Sequence, residues 1–282
     1  MDNNSNTFTI LPMGRDVSLK AGEKVTGTIT VLNQQDSKDP FTYKVTVAPY
    51  GVEGEDYNAD LVSTTEQTQL AKWITIENPT GTIAPNESAE INYTITVPED
   101  APGGGQYAAI IVGSDNTSDS SSVVEYVYEM ASIVYARVAG ETVHDGAITS
   151  HTVPAFSTVP KVAITAQLEN NGNVHEYANI DLTVTNFFSG EEIVSTEETE
   201  TRVAEVIMPY THRQLINNLE NLPSLGVVTV KESITYLGET SNIEQHVIIC
   251  PLWFLLLVSC TLISIIAAIV VRIRKSHRKL KS

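Results

Sequence analysis

One stretch near the end of the chain limits what the rest of it can be. Residues Val247 to Val271 form 25 consecutive positions without a charged side chain. A helix that rises about 1.5 Å per residue needs about 20 apolar residues to cross a hydrocarbon core of about 30 Å. Trp253 and Phe254 lie near the start of the run, where aromatic side chains favour the headgroup interface. The run therefore predicts a transmembrane helix over residues 247–271.

The residues after this run predict its orientation. Positions 272–282 contain no acidic residue and six basic ones, namely Arg272, Arg274, Lys275, Arg278, Lys279 and Lys281. Because positive charge next to a span favours the cytoplasmic side, we expect a short cytoplasmic tail at 272–282 and an extracytoplasmic N-terminal part. No Leu-Pro-x-Thr-Gly motif precedes the run, and a lipid-anchor signal would end in its apolar segment. The chain is predicted to be a single-pass protein of the cell membrane, integral by one helix.

The charge is divided unevenly between the two sides. All 34 acidic residues and 11 of the 17 basic residues precede the span. An acidic extracytoplasmic part argues against a nucleic-acid partner and against binding flat to an anionic membrane.

The positions of the cysteines indicate which class of surface protein this is. Both cysteines, Cys250 and Cys260, fall within the apolar run, so residues 1–246 cannot form a disulfide. Since extracellular Ig domains of animals usually contain one, we expect a bacterial, Gram-positive type of surface protein. The first residues lack the basic and apolar segments of a secretory signal, which we expect to be removed or to lie upstream.

Residues 8–139 show the alternation of antiparallel strands with one solvated face. Apolar and polar residues alternate over Val25 to Leu32, Phe41 to Val47 and Ala89 to Val97. About seven such strands in about 130 residues are typical of an Ig-like β-sandwich. Residues 1–7 carry no pattern and are predicted to be disordered.

The same alternation returns over Lys161 to Leu168 and Ala178 to Thr185, and further strands follow at Val203 to Met208 and Val227 to Leu237. A second β-sandwich is therefore predicted over residues 140–246, with the boundary near Gly140. Because proline cannot donate to a strand ladder, Pro154 and Pro160 predict an edge or bulged first strand. The predicted fold is all-β: two Ig-like β-sandwich domains in tandem followed by one C-terminal transmembrane helix.

Two polar loops are candidate binding regions, Gly51 to Leu70 and Ser114 to Ser122. Within the first, Asp56, Asn58 and Asp60 place oxygen ligands at alternate positions, as at the opening of a calcium loop. An EF-hand would continue with glycine and glutamate where this chain has Leu61 and Gln67. A calcium site of another type is the one metal site the sequence suggests, and a solvated acidic loop is the alternative.

No catalytic residue and no cofactor are predicted. The chain contains no His-Glu-x-x-His motif, no Gly-x-Ser-x-Gly motif and no thiol before the apolar run. Its six histidines are scattered, although a triad assembled from distant residues is beyond the reach of motif analysis.

Turn and strand motifs carry a family resemblance. They are Trp73-Ile74-Thr75-Ile76, Ala84-Pro85-Asn86-Glu87, Val97-Pro98-Glu99-Asp100, Gly104-Gly105-Gln106-Tyr107, Leu168 to His175, Thr183 to Asn186 and Met208 to Arg213. With the order of two domains, helix and basic tail, the chain resembles the WxL-interacting surface proteins of bacteria. That resemblance implies peptidoglycan binding by the first domain and protein binding by the second, and it transfers no contact residue.

The sequence thus predicts a non-enzymatic, membrane-anchored surface protein whose Ig-like domains bind a cell-wall component such as peptidoglycan, or a surface protein, in adhesion or scaffolding. The alternative is a membrane-tethered accessory protein for envelope assembly or transport. An exposed apolar patch near the membrane would favour that alternative.

Overall fold

The computed structural model describes residues 8–34, 39–114, 129–195 and 204–279. Within these ranges, twenty strands precede one long C-terminal helix, and the other helices are one turn each. The all-β class with Ig-like sandwiches and a single apolar C-terminal helix is confirmed.

The described residues of the first half of the chain form eleven strands. They are β1 (Phe8–Leu11), β2 (Gly14–Leu19), β3 (Lys24–Asn33), β4 (Phe41–Pro49), β5 (Gly51–Glu53), β6 (Asn58–Asp60), β7 (Ile74–Ile76), β8 (Thr80–Ile83), β9 (Ser88–Thr96), β10 (Gly104–Ser114) and β11 (Glu129–Val138). One sheet has the order β1-β3-β9-β7, a second has the order β2-β11-β10-β4-β8, and β5 and β6 form a hairpin. A 3-10 turn at Glu66–Thr68 and a short helix α1 (Leu70–Trp73) precede β7.

The alternating sequence explains this sandwich. In β3 and β9 every second residue is buried, including Ile29, Val31, Ile91 and Tyr93, while their neighbours face solvent. Together with side chains from the opposite sheet these residues form one continuous hydrophobic core.

The second half forms nine strands in the part that the structure describes. They are β12 (Gly146–Thr152), β13 (Phe156–Ser157), β14 (Val162–Asn170), β15 (Glu176–Asn186), β16 (Glu192–Ser195), β17 (Ala204–Ile207), β18 (Thr211–Leu219), β19 (Gly226–Tyr236) and β20 (Glu239–Ile249). One sheet has the order β12-β14-β18; the other has the order β13-β20-β19-β15-β16, with β17 beside β15. A second apolar core includes Val162, Ile164, Val184, Val230 and Ile249.

The chain forms two compact units, and each unit is built from three segments that are separate in the sequence. The first unit contains Met1–Ala147 with the segments Glu169–Glu176 and Val206–Arg213, and the second contains Ile148–Leu168, Tyr177–Glu205 and Gln214–Ser282. The expected domain limits at residues 139 and 140 stay a prediction.

Both halves begin with a strand that changes sheets at a proline. In the first half, β1 pairs with β3, the chain passes Pro12, and β2 then pairs in parallel with the last strand β11. In the second half, β12 lies beside β14, the chain passes Pro154, and β13 pairs in parallel with the last strand β20. Because proline lacks the N–H that a continuous ladder needs, it marks the point of crossing in each half.

A buried asparagine at the end of the third strand is also found in both halves. Asn33 donates through Nδ2 to the carbonyl of Ile83 at 3.1 Å, and Asn170 donates through Nδ2 to the carbonyl of Ile207 at 2.9 Å. Both asparagines are at most 1% exposed. Each amide therefore satisfies a carbonyl that would otherwise be buried without a partner.

The helix α2 (Leu252–Lys279) begins later than the apolar run does. Val247 and Ile249 are fully buried in β20, and Pro251 stands at the first turn of the helix, where it accepts hydrogen bonds from the N–H groups of Phe254 and Leu255. Periodicity cannot separate a buried strand from a membrane helix when the two follow each other. As a result Cys250 lies buried at the end of the sandwich, and the apolar part of the helix covers Leu252–Ile273.

Candidate functional site: the open edge of the last strand

The last strand of the second half lies beside a single long strand. β20 pairs with β19 along its whole length, from Glu239 opposite Tyr236 to Ile249 opposite Gly226. On its other side, β13 pairs only with Ile248 and Ile249. Within the described part of the chain, no strand lies on that side of residues 239–247.

Two hydrogen bonds show which backbone groups face this open edge. The N–H of Ile248 donates to the carbonyl of Ala155, and the N–H of Cys250 donates to the carbonyl of Ser157, both at 2.9 Å. Since direction alternates along an antiparallel strand, the N–H and C=O groups of the even-numbered residues Asn242 and Glu244 face the same side. The edge therefore presents alternating donors and acceptors to another strand.

A polar groove lies on the outer face of the sheet beside this edge. It has a volume of ≈ 400 Å³. Its lining consists of Asp181, Thr183, Lys231, Glu232, Ser233, Asn242, Ile243 and Glu244. At its rim, the Lys231 ammonium lies 3.3 Å from the Glu244 carboxylate across β19 and β20. Side chains of an added strand would meet hydrogen-bonding groups here rather than an apolar surface.

A buried polar network holds β20 from the interior. His151 contacts Ser241 through Nδ1 at 3.0 Å and Glu232 through Nε2 at 2.8 Å, and Asn217 donates to the other carboxylate oxygen of Glu232 at 2.6 Å. If Nε2 carries the proton, the ring donates to the carboxylate and accepts from the Ser241 hydroxyl, so that every group is satisfied. The network joins β12 and β18 of one sheet to β19 and β20 of the other.

Serine, histidine and glutamate in this order resemble a hydrolase triad, but the setting does not. The side chains of His151 and Glu232 are 5% and 1% exposed. The outer groove is lined neither by His151 nor by Ser241. The His151 ring and the Glu232 carboxylate are enclosed between the sheets, where they hold β20 in position through Ser241. Sequence analysis missed this network because its members are far apart in the chain.

The expected calcium ligands have other surroundings. Asp60 accepts hydrogen bonds from the N–H groups of Val62 and Ser63 at 2.9 and 3.0 Å, and the hydrogen bonds from Ser63 lower the pKa of its carboxyl group. Asn58 begins β6 opposite Glu53. Among the described residues, no group of three or more His, Cys, Asp or Glu side chains could hold a metal ion. The calcium site over Asp56, Asn58 and Asp60 stays a prediction.

The first of the two candidate loops is ordered by Tyr57. The Tyr57 hydroxyl hydrogen-bonds the hydroxyl of Thr211 and accepts from the N–H of Met208 at 3.0 Å, and the Arg213 guanidinium lies 4.7 Å from its ring centre. Burial raises the pKa of Tyr57. The loop Gly51 to Leu70 is thus packed within the first unit. Of the second loop, Ser114 to Ser122, only Ser114 belongs to the described residues.

A buried histidine lies in the first unit. His175 is 0% exposed; its Nε2 lies 2.8 Å from Oδ1 of Asp16 and its Nδ1 lies 3.2 Å from the Tyr107 hydroxyl. Arg137 donates to its backbone carbonyl at 2.9 Å. Burial lowers the pKa of His175, although the hydrogen bond to Asp16 opposes that shift. These contacts attach β2, β10 and β11 to the segment Glu169–Glu176.

Comparison with known proteins gives structural likeness only. No family model matches the chain, and no curated protein matches it. Similar solved structures include the class 5 fimbriae chaperone CfaA, with 14% identity, a TM-score of 0.39, and coverage of 86% of this chain and 99% of that one. The E. coli chaperone DraB has 18% identity and a TM-score of 0.37, covering 85% and 95% of the two chains.

A third is the CsuC-CsuE chaperone-tip adhesion subunit pre-assembly complex of Acinetobacter baumannii, with 14% identity, a TM-score of 0.40, and coverage of 85% of this chain and 98% of that one. Likeness at this level assigns no function. The expected membership of the WxL-interacting surface proteins is wrong, since no family model matches and the similar structures are those of pilus chaperones.

Proposed function

We propose that this chain is a non-enzymatic, membrane-tethered binding protein that holds another envelope protein outside the membrane by accepting one of its extended segments at β20. The observation that carries the proposal is the open edge from Glu239 to Val247. Proteins normally shorten, cover or charge such edges because they pair with other chains. A partner segment would be bound by main-chain hydrogen bonds, and the polar groove beside the edge would select its side chains.

The helix α2 supports the tether. It is the one helix in the described ranges that is long and apolar enough to cross a membrane. Its hydroxyl groups bond to its own backbone: Ser259 donates to the carbonyl of Leu255 at 2.7 Å and Ser264 to that of Cys260 at 2.8 Å. Internal satisfaction of polar groups is what a hydrocarbon surrounding requires. The basic residues at 272–282 favour a cytoplasmic end.

The open edge of β20 indicates that the partner is a protein, because such an edge binds another polypeptide strand. Peptidoglycan binding was implied only by the resemblance to the WxL-interacting proteins. Because that family membership is wrong, the proposed partner is a protein. An adhesin or scaffold and an accessory protein for envelope assembly would both hold a protein strand. They differ in whether the partner stays bound or is passed on.

A photo-crosslinking experiment tests the edge. The full-length protein is produced in its source cells with benzoyl-phenylalanine in place of Glu244, alone and combined with Asn242→Pro. Proline removes an edge-facing N–H and its ring blocks an incoming strand, whereas Asn242→Ser keeps the N–H and serves as the matched control. We expect a defined protein adduct that is lost with proline and kept with serine.

Two results would overturn the proposed function. One is the absence of any protein adduct from position 244 in a folded, membrane-inserted chain. The other is an adduct that forms equally well with Asn242→Pro, because the partner would then bind by side chains and not by strand addition.

A further inference from the structure

Exposed apolar side chains of the second unit collect at one end of its sandwich. Apart from Ile216, the large exposed apolar residues of its described strands and loops are Phe156, Val159, Phe187, Phe188, Leu225 and Ile248. Phe188 is 79% exposed and Val159 is 53% exposed. We call these six residues the base patch. Apolar residues that are concentrated in this way mark an interaction surface, whereas scattered ones need no explanation.

Strand register places the patch at the end of β20 from which helix α2 continues. Phe156 lies opposite Ile248, and Ile248 lies opposite Val227, two residues after Leu225. The N–H of Phe187 donates to the carbonyl of Val227 at 3.0 Å. The turn between β15 and β16, which contains Phe187 and Phe188, therefore lies at the same end of the sheet as Val227. β13 runs parallel to β20, so the chain after Ser157 leads towards the same end.

The distance from this end to the membrane span is short. β20 ends at Ile249 and α2 begins at Leu252, so three residue steps separate them. At about 3.3–3.6 Å per residue this link covers at most about 11 Å. The headgroup layer on each side of a bilayer is about 5–8 Å thick, as the difference between its full and hydrocarbon thickness shows. When the helix spans, the base patch therefore lies at the level of the headgroups.

The composition of the patch fits lipid. Phenylalanine and branched aliphatic side chains gain free energy on leaving water at the boundary of the acyl chains. The nearby Lys161 ammonium is paired with the Glu220 carboxylate at 2.6 Å, which leaves no cluster of free cations at this end among the described residues. The contact is therefore apolar in origin and does not require anionic lipid.

We propose that the base patch is embedded in the interface of the bilayer that α2 spans, so that the second unit rests on the lipid surface. This inference relies on the membrane tether of the proposed function and is independent of strand addition.

Fluorescence quenching tests the contact in the full chain. The protein is reconstituted into phosphatidylcholine vesicles in which part of the lipid is brominated at the headgroup end of its acyl chains. Phe188→Trp places a reporter in the patch, and Thr240→Trp places one at an exposed site nine residues before Ile249 on the same strand, about 30 Å away. The native Trp253 at the start of α2 reports the span, and Trp73 in the core of the first unit contributes a constant background.

We expect brominated lipid to quench more than half of the Trp253 fluorescence. It should also quench more than half of the fluorescence that Phe188→Trp adds to that of the original chain, and none of the fluorescence that Thr240→Trp adds. Quenching at Trp253 without quenching at position 188 would overturn the inference and leave the span intact; a protein partner would then be the better occupant. No quenching at Trp253 would overturn the tether and the inference together. Equal quenching at positions 188 and 240 would show a sandwich lying flat and would contradict contact through the base.

Discussion

The two last strands of the molecule, β11 and β20, occupy equivalent places but are held differently. β11 is covered on its edge by β2, which pairs with six of its residues, from Ile133 opposite Gly14 to Val138 opposite Leu19. Among the described strands, the neighbour on the corresponding edge of β20 is β13, which pairs with two of its residues, Ile248 and Ile249. In both halves the chain changes sheets at a proline before it reaches the edge of the last strand. The difference in edge coverage between β11 and β20 therefore arises after that proline.

The length of the crossing strand explains the difference. After Pro12, β2 continues for six residues before the turn at Lys20. After Pro154, β13 ends at Ser157, whose hydroxyl lies 2.8 Å from the carbonyl oxygens of both Val159 and Lys161, donates its one proton between them, and so closes a local turn around Pro160. A short edge strand leaves β20 open, and the network of His151, Glu232 and Ser241 holds the strand from inside instead. Equivalent strands can thus be fixed by an edge neighbour or by a buried anchor.

Removing the anchor should have the largest effect. His151→Ala leaves the Glu232 carboxylate, 1% exposed, with the hydrogen bond from Asn217, and removing a partner of a buried carboxylate so that its charge is uncompensated costs about 3–5 kcal/mol. We expect the second unit to lose stability by this amount, measured by hydrogen exchange of β19 and β20 amides in the full chain.

His212→Ala is the matched control, because the side chain of His212 is 68% exposed and lies 3.7 Å from Glu169. Its effect should stay below about 0.5 kcal/mol. An unchanged exchange rate in His151→Ala would show that the stability of β20 does not depend on the network. The two last strands, β11 and β20, would then differ only in how much of their edge a neighbouring strand pairs with.

A pair of proline substitutions compares the two edges directly. The N–H of Ile133 donates to the carbonyl of Met13 at 2.9 Å, so Ile133→Pro breaks the β2–β11 ladder and should cost about 3 kcal/mol. Asn242→Pro removes an N–H that faces the open edge and should cost about 1 kcal/mol or less. Denaturant titration of each unit measures both values. Equal costs would mean that the N–H of Asn242 has a partner within the chain.

Much of the fold could be predicted from local pattern. Alternation located β3, β4, β9 and β14 to within a few residues, since one face of each strand is buried. Pro154 and Pro160 predicted an edge or bulged first strand; the strand between them, β13, lies at the edge of its sheet but follows β12 and is the second strand of its half. The turn motifs Ala84-Pro85-Asn86 and Met208-Pro209-Tyr210 suggested the wrong family for a physical reason. Asn86 and Tyr210 have φ angles of 65° and 57°, so these motifs encode a turn that the sandwich plan itself repeats.

The candidate site could not be predicted in the same way. An open edge depends on where a neighbouring strand stops, and strand pairing is a long-range property that alternation does not contain. The network under β20 joins residues that are up to 90 positions apart. The end of β20 was also hidden by the apolar run, because Val247 and Ile249 are apolar for packing while the residues from Leu252 are apolar over the length of a membrane span.

The smallest expected effect concerns pH and the first unit. Burial lowers the pKa of His175, with Arg137 adding to the shift, while Asp16 and Glu176 oppose it; Tyr107 and Tyr135 are the other titratable groups in contact. As the pH falls below about 6.5, the unfolded chain binds a proton at this histidine that the folded chain does not, so the unfolding free energy decreases. Urea titrations followed by the emission of buried Trp73 at about pH 7.5 and 5.5 measure this decrease.

His175→Asn should make the pH dependence shallower, and His212→Ala should leave it unchanged because that ring is exposed. A slope that is the same in His175→Asn as in the original chain would show that the ring binds its proton equally in both states. In that case the hydrogen bond to Asp16 would offset the cost of burial in full, and the buried ring of His175 would join β2 to the segment Glu169–Glu176 with no dependence on its protonation.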